Sequence, residues 1–317
     1  GAEAAARGFF GKPAAELDLA EAALLAGLIR SPSTYAPTVD LERAVERRNV
    51  VLRAMLETGA IDAAQYEAAR AARVRLRNAL QRDERFGLYF KEQVRRELVE
   101  RYLARIDAYD KKGPEINAII TVNPRALDEA DARDRSFQET GELSGPLHGI
   151  PVLLKDQVET KDIPTTFGSI AFKEYLPTDD ATIVKKLRAA GAIILAKTNL
   201  PDFATSWFAF SSAGGETKNP YALDRDPGGS SSGTGAGIAA NLGAVGIGED
   251  TGGSIRVPAS FNSLVGLRVS TGLISRAGLS PLVVFQDTAG PMTRTVRDTA
   301  TLLDVVVGYD PADPYTV

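Results

Sequence analysis

A chain of 317 residues with 44% hydrophobic content is long enough for one large domain or two and can bury a real core, which excludes a disordered or fibrous protein. Its formal charge of −4 divides unevenly, with 17 Lys+Arg against 15 Asp+Glu in residues 1–101 and 20 against 26 in the rest. Neither balance argues for a nucleic-acid groove or a polybasic membrane patch. Cysteine is absent and His148 is the only histidine, so a disulfide scaffold, a cysteine nucleophile and thiolate or multi-histidine metal sites are excluded.

Residues 1–101 read as helix after helix. Asp18 followed by Glu21 has capping-box spacing, the Ala/Leu run to Ile29 fits a buried helix, and Ser31-Pro32 stops it. A second helix is expected from Asp40 to Thr58 with Gly59 as its stop, and a third from Asp62 with Gln65 three residues on. The basic residues here are arginines apart from Lys12 and Lys91, a bias that ends at Lys111 and hints at two origins. An amphipathic pattern then runs from Phe86 through Val94, Leu98 and Leu103 to Ile106 without a linker. The domains therefore share a helix, with the boundary expected at 101/102.

Beyond it the character is α/β. A helix is expected over 124–139, a strand over 150–154, a helix over 182–190, a strand over 193–196, then a glycine-rich loop, another helix and a strand over 245–248. Such alternation implies a sheet covered on both faces by helices. No apolar run reaches the roughly 18 residues of a membrane span. The start at Gly1-Ala2-Glu3 lacks a basic or apolar leader and an initiating methionine, so a soluble, cytoplasmic chain whose true start lies upstream is expected.

Three segments stand out: Gly149-Ile150-Pro151-Val152-Leu153-Leu154-Lys155-Asp156, Gly228-Gly229-Ser230-Ser231-Ser232-Gly233 and Asp250-Thr251-Gly252-Gly253-Ser254-Ile255-Arg256. A lysine at the tip of a buried strand sits where loops gather, and glycines beside each serine let backbone N–H groups converge on one point. Serine needs a base, and Lys155 can serve if burial lowers its pKa from about 10.4 toward neutrality. Ser230 and Ser254 lie 24 residues apart, one placed to relay a proton to the other. Singly, each segment has a bland reading: a flexible Gly/Ser loop, a solvated lysine, an anion-binding helix start. Their joint order favours catalysis. His148, six residues before the strand's end, reads as structural, Ser232 as a helix start, and Trp207 and Phe208 equally as core or pocket.

These segments, with Gly145-Pro146-Leu147-His148-Gly149-Ile150-Pro151, Lys197-Thr198-Asn199-Leu200-Pro201 and Asp287-Thr288-Ala289-Gly290-Pro291-Met292, resemble the amidase signature family over about Tyr102 to Tyr309. The resemblance implies a mixed sheet covered by helices and a Ser-Ser-Lys triad acting on a small-molecule amide. Ser254 would be the nucleophile, Ser230 the bridging serine, often held by a cis peptide, and Lys155 the base. It further implies an oxyanion hole from the backbone N–H groups of Thr251, Gly252, Gly253 and Ser254, support from Ser231, Asp250 and Arg256, and no cofactor or metal. Glu249 departs from the family's commoner threonine, Asp202 from glutamate, Ser263 from glycine and Val269 from proline. Family members continue beyond Val317, so a sheet incomplete at its C-terminal side is expected.

The N-terminal third resembles the rear of the peptidoglycan glycosyltransferase domain of bifunctional penicillin-binding proteins, through Arg7-Gly8-Phe9-Phe10-Gly11-Lys12, Leu19-Ala20-Glu21-Ala22-Ala23-Leu24-Leu25-Ala26-Gly27 and Arg47-Arg48-Asn49-Val50-Val51-Leu52. That family's catalytic glutamates precede the part matched, so the resemblance implies a helical segment without glycosyl transfer; the penicillin-reactive Ser-x-x-Lys is absent. Two further readings stay open: an inert fusion whose N-terminal part binds a lipid-linked peptidoglycan precursor, and the amidase subunit of a tRNA-dependent amidotransferase. The sequence leaves the oligomeric state open.

Overall fold

The computed structural model describes residues 2–28, 37, 40–77 and 88–316, and the chain divides into two compact units, Gly1–Leu88 and Tyr89–Val317. The first unit is helical: α1 (Ala2–Phe10), α2 (Leu19–Leu28), α3 (Leu41–Glu57) and α4 (Ala63–Ala71). Reciprocal bonds between Asp18 and Glu21 (2.9 and 2.8 Å) and between Asp62 and Gln65 (2.9 and 2.8 Å) satisfy amides that a helix start leaves unpaired. Asp40 caps α3 by accepting from the Arg43 amide at 3.0 Å. The expected stop at Ser31-Pro32 lies outside the described residues.

Apolar faces of α2 and α3 build the core of this unit from Ala20, Ala23, Leu24, Ala44 and Leu52. Arg48 is only 1% exposed and donates to the carbonyls of Ala72 (2.9 Å) and Arg70 (2.8 Å), so a buried guanidinium closes the end of α4.

The second unit begins on α5 (Leu88–Tyr109), within which the expected 101/102 division falls. A six-stranded mixed sheet follows, in the order β1-β3-β2-β6-β8-β7. Its strands are β1 (Ile119–Val122), β2 (Pro151–Lys155), β3 (Ile193–Thr198), β6 (Val245–Asp250), β7 (Val265–Gly266) and β8 (Thr288–Thr293). The short strands β4 (Phe210–Ser211) and β5 (Gly215–Glu216) form a separate ribbon. β3, β2 and β6 run parallel, with Leu154 opposite Lys197 and Ile247, while β1, β8 and β7 join antiparallel.

Period-2 alternation splits β2 between two cores. Val152 and Leu154 pack with Ile183 and Leu187 of α7 (Thr182–Ala189) and Leu302 and Val306 of α10 (Val296–Val306). Leu153 packs on the other face with Val99 and Ile106 of α5, Ala126 and Ala130 of α6 (Ala126–Thr140) and Ile238 of α8 (Ser232–Ala239). Helices thus cover both faces, as expected. The strands run further than their apolar runs suggest: β2 includes Lys155, and β6 continues through Glu249 and Asp250. Strands β1 and β8 were not among the expected elements.

Candidate active site

The parallel strands β2 and β6 end side by side, and the candidate residues gather at those ends. Lys155 is the last residue of β2 and 1% exposed. Its Nζ donates to Ser230 Oγ at 2.7 Å and to the Glu249 carbonyl at 3.2 Å. Burial takes its pKa down from 10.5 to about 8, against the opposing fields of Glu249, Asp287 and Asp250. Near neutrality a usable fraction of the amine is therefore unprotonated.

Ser230 sits just before α8, and the Gly229–Ser230 peptide is cis. Ser231, the residue preceding α8, donates its amide to the Ser254 carbonyl at 3.1 Å, which ties the two serine segments together. Its hydroxyl donates to the Glu249 carbonyl (3.1 Å) and accepts the Glu249 amide (3.2 Å). A Cβ on Gly248 would meet Ser231 Oγ at 2.9 Å and Met292 Sδ at 2.7 Å, so glycine there is what lets α8 approach β6.

Asp250 ends β6 and organises the turn into α9 (Arg256–Phe261). Its carboxylate accepts from the amides of Gly253 (2.7 Å), Ile255 (3.0 Å) and Arg256 (3.3 Å), and from Arg256 Nε and a terminal nitrogen, both at 3.1 Å. Burial pushes this carboxyl up, but the Arg256 guanidinium and the three amides together bring it below its ordinary value. Arg256 and Asp250 are thus loop braces. The Gly253 amide departs from its expected place in the oxyanion hole, because in this structure it points at Asp250. Among the described residues the amides of Thr251, Gly252 and Ser254 show no such intramolecular acceptor.

Ser254 lines a cavity of about 420 Å³ with Thr251, Gly252, Trp207, Phe208 and Leu282. Among the described residues its hydroxyl makes no hydrogen bond to Ser230 or Lys155. Trp207 and Phe208, ambiguous in sequence, are 61% and 74% exposed and belong to the cavity wall. His148 lies before β2, away from Lys155, and its Nδ1 meets the Ser144 hydroxyl at 2.6 Å.

Sequence reading missed three features. Asp287 accepts the Thr251 hydroxyl and the Leu282 amide, fixing one wall of the cavity. Asp156, the residue after Lys155, is buried against Lys197 (3.2 Å) and accepts the amide and hydroxyl of Thr166 (2.9 and 2.5 Å). The side chain of Glu249 is 2% exposed. Asp156 and Asp287 each stand in a motif quoted from the sequence and Glu249 is marked there as a departure, but the contacts and burial of all three depend on residues distant in the chain.

Among known proteins, the model of the Amidase family matches residues 97–317 and that of the Transglycosylase family residues 1–56. The chain is 44% identical over 244 residues to a protein described as a probable amidase of Arabidopsis thaliana, covering 74% of this chain and 46% of that protein. It is 45% identical over 236 residues to the A subunit of the glutamyl-tRNA(Gln) amidotransferase of Alkaliphilus metalliredigens, covering 74% of this chain and 47% of that protein. The native peptide amidase of Stenotrophomonas maltophilia superposes with a TM-score of 0.68 at 48% identity, over 70% of this chain and 46% of that one. The chain thus spans about half the length of the curated relatives it matches. Among the described residues no helix is long and apolar enough to cross a membrane.

Proposed function

The chain belongs to the amidase family over residues 97–317, and from that premise we propose that it carries the acylation machinery of a hydrolase for carbon–nitrogen amide bonds. One observation carries the reading: the buried Lys155 amine bonded to Ser230 Oγ at 2.7 Å, one residue from the bond that docks the Ser254 segment.

In this mechanism neutral Lys155 takes the hydroxyl proton of Ser230 as Ser230 takes that of Ser254. Ser254 Oγ forms a bond to the amide carbon, and the carbonyl π pair moves onto oxygen. The amides of Thr251, Gly252 and Ser254 receive that oxyanion, each such donor being worth on the order of 3 kcal/mol. The proton then returns to the leaving nitrogen, the C–N bond breaks, and an acyl group remains on Ser254. Water repeats the sequence to release acid. Asp250 and Arg256 hold the turn, and Ser231 holds the serine loop against β6.

The cavity wall of Trp207, Phe208, Leu282 and Ala204 carries no charged side chain, which suits an uncharged group next to the scissile amide. The likeness to the A subunits of amidotransferases supports a second reading, in which ammonia released here passes to a partner protein. Ammonia release only when that partner is present would mark it.

Intact-mass detection of labelling by a fluorophosphonate serine probe tests the proposal, comparing the chain with Ser254→Ala. A single adduct lost on substitution is the expected result. An adduct that persists, or a folded chain that takes none, refutes it.

A further inference from the structure

We propose that Asp287 is a positioning residue for the reaction: its carboxylate holds the oxyanion turn at Thr251 and the cavity wall at Leu282 in one register, so that Leu282 sets the size of the group accepted beside the scissile bond. This rests on the reading of Ser254 as the nucleophile.

Pairing of β6 with β8 sets the placement. Asp250 lies opposite Thr288, and the next antiparallel rung brings Thr251 opposite Asp287. Asp287 is fully buried, and one of its carboxylate oxygens accepts the Thr251 hydroxyl. The segment before it folds back on itself, because the Gln286 and Asp287 amides both donate to the Val283 carbonyl at 3.0 Å. That turn returns the Leu282 amide to the second carboxylate oxygen. Arg276, bonded to Asp313 at 2.9 Å, donates to the Val284 carbonyl and ties the same turn to the segment at Asp313.

Thr251 needs such a grip. Its amide has no acceptor among the described residues, so the direction of that N–H is set by whatever holds the rest of the residue. Asp287 holds its hydroxyl, and Gln286 Nε2 donates to its carbonyl at 3.1 Å. An oxyanion donor aids catalysis only when it is aimed at the developing charge before the reaction begins. Asp250 cannot supply this, because its contacts are to Gly253, Ile255 and Arg256 further along the turn.

Leu282 depends on the same carboxylate. It lines the 420 Å³ cavity with Thr251 and Ser254 and comes from the segment before β8, whereas the other walls come from residues 204–208 and the turn itself. A bulky group that displaces Leu282 therefore pulls on the carboxylate that aims Thr251. Size is read at the place where charge is stabilised.

The test is the rate of Ser254 labelling by two ethyl fluorophosphonates that differ only in carrying methyl or phenyl on phosphorus, with thermal melts to establish folding. Thr251→Val removes the hydroxyl and should slow both probes by about 10-fold or more while keeping their ratio. Thr251→Ser keeps the hydroxyl and should restore both rates. Leu282→Ala should raise the phenyl-to-methyl ratio by about 10-fold or more. Asp287→Ala removes both contacts, so it should slow the methyl probe and raise the ratio together. A wild-type methyl rate or a wild-type ratio in folded Asp287→Ala overturns the proposal, as does a wild-type rate in Thr251→Val. If Asp287→Ala does not fold, Asp287→Asn replaces it: an amide offers one oxygen to two donors, so the rate or the ratio must change, and a change in neither overturns the proposal.

Hydrogen exchange supplies a readout that needs no labelling. The amide of Leu282 and those of residues 251–254 should exchange faster in Asp287→Asn than in the wild-type chain, and unchanged exchange at either place overturns the proposal. If the wild-type chain takes neither probe, the amidase reading fails on its own, and exchange still decides whether Asp287 holds the wall and the turn together.

Discussion

Replacing Asp250 by alanine should disorder the turn that carries Ser254, with a cost that can be worked from its bonds. The substitution leaves the buried amides of Gly253 and Ile255 without acceptors. Each such orphan costs about 1–3 kcal/mol, so the two together cost about 2–6 kcal/mol. The Arg256 side chain adds little, because at 54% exposure its ion pair is screened by water. For a folded unit of this size, about 2–4 °C of melting temperature corresponds to each kcal/mol, so a fall of about 4–24 °C is expected by calorimetry on the full chain. Arg256→Ala should cost about 1 kcal/mol or less. The carboxyl is held below its ordinary value, so its stabilisation is complete above 3.8 and is lost as pH falls through the folded-state value. The gap between wild type and Asp250→Ala should therefore close in strong acid. A melting temperature unchanged at neutral pH, with Ser254 labelling intact, would refute the account of the turn.

Four further outcomes follow from the same reasoning. Lys155→Met should cut Ser254 labelling at neutral pH by about 100-fold or more, since it removes the base. The lowered lysine pKa also means that its destabilising contribution is complete below about 8 and lifts as pH rises toward 10.5; the variant should melt at or above wild type at pH 6, with the advantage shrinking in base. Lys197→Met should cost about 3–5 kcal/mol in denaturant titration by stranding the buried Asp156 carboxylate, and adding Asp156→Asn should recover part of it. Ser263→Gly should stabilise the chain by about 1 kcal/mol or less and raise its melting temperature slightly, because Ser263 holds φ at +55° where glycine is unstrained; a lowered melting temperature would contradict this. Arg48→Met should speed hydrogen exchange at the end of α4, where the Arg70 and Ala72 carbonyls lose their donor; unchanged exchange would show that another group closes that end.

Much of the candidate site was legible because its chemistry is local in sequence. Lys155, Ser230 and Ser254 each lie in a short segment whose glycines and flanking strand announce a strand-end loop. Helix caps at Asp18, Asp40 and Asp62 were legible for the same reason, since a cap spans three residues. β8 escaped because Gly290-Pro291 reads as a break: proline has no N–H for a ladder. The structure places it in the sheet all the same, with the Leu267 amide donating to the Pro291 carbonyl at 3.0 Å. β1 escaped because four residues, Ile119–Val122, carry too little pattern to stand apart from a loop.

By itself, the sequence determined which residue types stand at the strand ends, the order of helices and strands, and the departures at Glu249 and Ser263. Tertiary structure alone decided that Gly253 turns its amide to Asp250, that Trp207 and Phe208 wall a cavity, and that the Glu249 side chain lies buried. Each of these depends on which face of a strand or turn meets a neighbour distant in the chain. That choice is set by the register of β6 against β2 and β8 and by what packs over it, information that no window of consecutive residues contains.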